Sequence, residues 1–185
     1  MHTRSLFQLV STGLVALAIG FSAVSAHASA SKRHATATKH HPAHKPSPPS
    51  VIKKTVNPGV SLDDAAESMR LRANSLNMKL VAELPLSSQV EAITGKPQRR
   101  TTIFQFCDAL TARDLIELDI DFAIYMPCRI ALIEDAKGQA WLVMMDIDVD
   151  ALAQEKRVPP ALKKRINEVR ATLIDIMDAG AKGDL

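Results

Sequence analysis

From Ser31 to Ser50 the chain reads SKRHATATKHHPAHKPSPPS and holds no large apolar residue. Such a stretch cannot bury enough apolar surface to offset the entropy lost on folding, so a flexible linker is predicted there. Core formation is therefore confined to the flanks. On the N-terminal side, His2 and Arg4 give a weakly positive start, and an apolar run extends from Leu6 to Val24. Small residues close it, and residues 1–30 read as a secretory signal cleaved after Ala28 or Ala30. The run is also near spanning length, so an uncleaved anchor is the competing reading. Ser11, Ser22, Ser25 and the alanine-rich exit favour cleavage, and with it a periplasmic or secreted location. The remaining segment, residues 51–185, has the length of one ordinary domain.

Charge and residue inventory exclude several function classes. From Val51 onward there are 18 Lys or Arg against 20 Asp or Glu, a net of −2. The positive excess sits in the signal and linker, where it could touch an anionic membrane surface. No basic stripe interleaved with aromatics crosses the domain, which argues against nucleic-acid binding. All six histidines lie between His2 and His44. His34, His40, His41 and His44 could hold a metal weakly, but a mobile chain is not a preformed site. The domain therefore has no imidazole base for a cysteine hydrolase, and a catalytic constellation is not expected.

Alternation and helical spacing lay out the elements. VIKKTV suggests a first strand. A helix over SLDDAAESMRLRANSL is capped by Ser61, with Asp64 three residues later. MKLVAEL alternates Met78, Leu80, Ala82 and Leu84 on one face, the pattern of a half-buried strand. Residues 87–100 suggest a short helix and a turn through Gly95 and Pro97. TTIFQFC is a strand. Asp108 caps a helix with apolar positions Leu110, Leu115, Ile116 and Leu118, and FAIYM follows as a short strand or ordered loop. CRIALIED and QAWLVMMDID form a hairpin about Ala136–Gly138, with a short helical turn after it. Pro159 and Pro160 open a last helix with Leu162, Ile166, Val169, Leu173 and Ile176 as its stripe and Gly180 as its stop. The fold class is α+β: a single domain with a mainly antiparallel sheet and helices packed on one face.

Three segments, TTIFQFCDA, LDIDFAIYMPCRIALIED and QAWLVMMDID, resemble the bacterial family called domain of unknown function 302, in its exported branch with two cysteines. The resemblance runs from about Val60 to the last helix. Phe106-Cys107-Asp108 matches a turn after a core strand, Pro127-Cys128-Arg129 the start of the next, and Glu134-Asp135 its end before Trp141. It implies a compact α+β domain with a curved antiparallel sheet and a capacity to self-associate. It implies no agreed activity.

The two cysteines, Cys107 and Cys128, are the chemically distinctive residues of the domain. In an oxidising compartment each is bonded, buried, ligating or reactive. A disulfide between adjacent strand ends needs Cα atoms roughly 4.4–6.8 Å apart. Asp108 would oppose a thiolate at Cys107, whereas Arg129 would favour one at Cys128. Tyr125, Met126 and Arg129 could line a pocket beside Cys128. Cys107, Cys128 and Met126, with Met144 or Met145, are soft donors suited to Cu(I) or haem iron, although no close-spaced CxxC or CxxCH is present. Core packing is the ordinary role of such methionines, and no cofactor is the simplest expectation. Asp146, Asp148 and Asp150 would share one face if their strand persisted. Arg99, Arg100 and Arg129 could form an anion patch. The leading expectation is a binding or accessory protein, for a small molecule or protein partner, stabilised by Cys107–Cys128. The alternative is a thiol-redox or soft-metal protein. Self-association through a sheet edge is a third.

Overall fold

The computed structural model describes residues 50–184. The predicted signal and nearly all of the predicted linker lie outside the described residues. The elements in chain order are β1 (Ser50–Thr55), α1 (Leu62–Ser75), β2 (Lys79–Leu84), α2 (Leu86–Thr94), β3 (Thr101–Cys107) and α3 (Ala109–Leu118). A 3₁₀ helix (Ile120–Tyr125) follows, then β4 (Cys128–Glu134), β5 (Ala140–Asp146), α4 (Val149–Glu155) and α5 (Pro160–Lys182). The strands form one sheet of five in the order β1-β5-β4-β3-β2, and every neighbouring pair is antiparallel. The α+β expectation holds. No described helix is long and apolar enough to cross a membrane.

Register explains where the core sits, because directly paired residues share a face. One face carries the row Ile52–Met144–Ile130–Phe104, the row Lys54–Leu142–Leu132–Thr102, and the pair Cys128–Phe106. Phe104, Phe106, Ile130, Leu132 and Leu142 are fully buried there. Each such side chain contributes about 1.5–3 kcal/mol on burial. The cover is α1 and α5, which supply Ala65, Met69, Ala73, Leu173, Ile176 and Met177. The opposite face carries Thr55–Trp141–Ile133–Thr101 and Lys53–Val143–Ala131–Ile103–Leu84. It also carries Val51 beside Met145 and Arg129 beside Gln105.

Local chemistry sets the boundaries. Ser61 caps α1, accepting from the Asp64 N–H at 3.0 Å. Asp108 caps α3 through the Thr111 N–H at 2.8 Å. Asp148 caps α4 through the Ala151 N–H at 2.9 Å. Pro160 sits at the first turn of α5, where its missing N–H costs nothing.

Four expectations are corrected. The alternation of β2 does not put Met78, Leu80, Ala82 and Leu84 on one face, because a bulge between Leu80 and Ala82 shifts the register. On α3 only Leu115 of the expected stripe is buried, while Leu110 is 63% exposed. FAIYM falls within the 3₁₀ helix and the residue after it, being neither strand nor irregular loop. Helix α5 runs through Gly180 and ends at Gly183, which takes a φ of 69°.

Candidate functional site

At the end where β3 stops and β4 begins, a second group of elements packs together with the first half of α5. Leu115 of α3, Phe122 of the 3₁₀ helix, and Ala153 and Val158 from α4 and just beyond it form a separate buried cluster. Tyr125, Met126, Leu152, Leu162 and Ile166 pack against it. The Phe122 and Tyr125 rings meet at 6.3 Å and 52°, a tilted aromatic pair.

Charged straps hold this group in place. Lys156, at the end of α4, donates to Asp119 at 2.8 Å and to Asp121 at 2.6 Å. Arg165 of α5 reaches Asp114 of α3 at 2.5 Å. Arg170 of α5 grips Asp146, the last residue of β5, through two hydrogen bonds of 2.7 and 3.0 Å.

Between these parts lies a cavity of about 80 Å³. Phe106, Cys107, Asp108 and Thr111 line it from the β3–α3 junction, and Phe122, Tyr125, Met126 and Cys128 from the segment leading into β4. Leu152, Ile166 and Val169 close it from α4 and α5. The lining is almost wholly apolar apart from the two thiols, Thr111 and Asp108. Thus Cys107, Cys128, Tyr125 and Met126, singled out from sequence, do meet around one hollow.

The two cysteines are free thiols; the expected disulfide is not formed. Strand geometry gives the reason. Cys128 is paired with Phe106, so both point to the helix-covered face. Cys107 follows Phe106 immediately and alternates to the other face. Burial pushes the Cys107 thiol up, and the neighbouring Asp108 carboxylate adds to it. Burial also raises Cys128, with a contribution from Cys107 that outweighs the opposing pull of Arg129. Both thiols are protonated at neutral pH, the condition of packing residues rather than of nucleophiles.

The remaining candidates scatter. Arg129 is exposed on the uncovered face, and its chain neighbourhood, not its charge, borders the cavity. Arg100 pairs with Asp63 at 2.5 Å. It lies at the opposite end of β3 from Gln105, the partner of Arg129, so the expected anion patch does not assemble. Asp146, Asp148 and Asp150 do not share a face: the strand ends at Asp146, Asp148 is a helix cap, and Asp150 meets Lys163 at 2.6 Å. Met144 is buried and Met145 39% exposed, facing opposite ways as alternation requires. No group of three or more His, Cys, Asp or Glu side chains is placed to hold a metal among the described residues. Sequence reading missed Phe122, Thr111, Leu152 and Ile166. Only Ile166 carried a signal, as an apolar position in the stripe of the last helix read for packing alone.

A family model described as a domain of unknown function, DUF302, matches residues 52–180, from β1 to the last turns of α5. The chain belongs to the DUF302 family. Among solved structures, this DUF302 domain is similar to an uncharacterized conserved DUF302 protein from Bacillus stearothermophilus. The TM-score is 0.56 and the sequence identity 13%, covering 70% of this chain and 96% of that one. At such identity the likeness concerns the fold. No curated protein matches the chain.

Proposed function

We propose that this DUF302 domain is a non-catalytic binding or accessory module, acting after export, whose ligand places a small apolar group in the cavity beside Cys107 and Cys128. The observation that carries the reading is the cavity's lining: apolar side chains, aromatic edges and two protonated thiols, with the one carboxylate, Asp108, engaged in capping α3. A hollow of about 80 Å³ takes only a few heavy atoms; by comparison, an apolar cavity of about 150 Å³ stays dry and binds benzene. Export rests on the apolar run and small-residue exit near the N-terminus.

Xenon, a single apolar atom, is a suitable probe. At tenfold excess over its Kd it should stabilise the domain by about 1.4 kcal/mol in urea or thermal melts. Ala112→Leu, which adds volume at the cavity wall, should abolish that gain while keeping the wild-type circular dichroism. Identical melts of the wild type with and without xenon would sink the proposal.

A further inference from the structure

The face of the sheet opposite α1 and α5 has no covering layer among the described residues. It is nonetheless apolar along its middle: Val143, Ala131 and Ile103 form one cross-strand row, and Met145 lies beside Val51 in the next. Val51 is 52% exposed. The face is also concave at one end, where a groove of about 330 Å³ runs along Val51, Val143, Met145 and Arg129. That is the scale of a small-ligand site.

Charge decides what the groove takes. Its cations are Arg129 and, on the adjoining row, Lys53, and neither forms an ion pair with any described residue. No Asp or Glu occupies the rows of this face. A second copy docked face to face would oppose these cations to themselves. Residues 31–50 carry cations and no large apolar side chain, so they suit neither the floor nor the charge.

We infer that this groove binds a single-chain amphiphilic carboxylate, its hydrocarbon over Val143 and Met145 and its head group on the Arg129 guanidinium. The fork of donors on Arg129 matches a carboxylate in a way an ammonium does not. This site is distinct from the cavity lined by α3, α4 and α5, although Tyr125, Pro127, Cys128 and Ile147 border both.

The single tryptophan of the chain, Trp141, donates to Asp135 and lies on the same face two residues along β5 from Val143, one row beyond the groove, where its emission can report occupancy. Decanoate, titrated below its micelle concentration, should change Trp141 emission saturably. Arg129→Gln should weaken it at least tenfold. Val51→Asp, which places a carboxylate at the exposed edge of the groove, should weaken it as well. Decanol should bind weakly and equally to wild type and Arg129→Gln, and Ala112→Leu should bind decanoate as the wild type does. Three results would overturn the inference. They are no saturable response to decanoate, undiminished affinity in Arg129→Gln, or a response to anionic phospholipid vesicles in place of monomeric decanoate. Loss in Ala112→Leu with retention in Arg129→Gln would likewise overturn it, by moving the chain into the cavity lined by α3, α4 and α5.

Discussion

Gly180 sits inside a helix at a position where alanine is ordinarily better by about 1 kcal/mol. Its neighbours reverse that preference. A Cβ there would lie 2.6 Å from Met69 Cγ, 3.1 Å from the Ala65 carbonyl oxygen and 3.2 Å from Leu142 Cδ1. The glycine is what lets α5 approach α1 and β5 closely enough to seal the core. Overpacking costs about 1–3 kcal/mol and exceeds the propensity gain. Gly180→Ala should therefore lower the unfolding free energy by about 1 kcal/mol, read from urea midpoints at constant slope. An unchanged midpoint would show that the clash costs no more than the propensity gain, and a higher one that Met69 moves aside nearly freely. The same residue shows what a sequence withholds. A glycine near the end of a helical stripe reads as a stop, because the partner helix that needs its missing side chain is more than a hundred positions away. Cys107 and Cys128 were misread in a related way. Their strand-end positions were legible, but the face each one takes depends on a pairing register that spacing does not reveal.

Pairs of charges tie the elements around the candidate site to one another, and acid should loosen them. The Arg165 guanidinium, followed by Arg113, holds the Asp114 carboxyl below its ordinary range. Lys156 does so for Asp119, and Arg170 for Asp146. A carboxyl whose folded value is depressed favours the folded state above its unfolded value, about 3.9 for aspartate. That contribution fades as pH falls from there through the lower folded value. Stability should hold steady from neutral pH to about 5 and then decline. Asp146→Asn should cost less than about 1 kcal/mol at pH 7, since the pair is partly solvated. It should also show a shallower decline between pH 5 and 3 than the wild type. Parallel urea midpoints for the two proteins across that range would mean that the strap contributes nothing. Element boundaries here were mostly readable, because Ser61, Asp108 and the Pro159–Pro160 pair are local signals. The 3₁₀ helix and the bulge of β2 were not. A bulge leaves no mark on an alternating pattern, and a short 3₁₀ turn through Phe122 and Tyr125 has a strand-like composition.

At the scale of the molecule, the class of fold was legible because β4 and β5 announce themselves as a hairpin and the helices carry clear stripes. What could not be read was which strand lies next to which. The connection from β1 is the clearest case: it pairs not with β2 but with β5, Ser50 opposite Asp146 and Thr55 opposite Trp141. The candidate cavity depends on that arrangement, since β3, β4 and β5 must be neighbours before α3, α4 and α5 can meet around their ends. For a chain made from its N-terminus, the pairing also sets a timetable. The first strand of the domain has no partner until β5 has followed, so β1 stays unpaired while the hairpin that receives it is still being synthesised. The sheet is closed at that edge by the domain's earliest strand, so pairing there reports that β5 has arrived, with α4 and α5 still to be added.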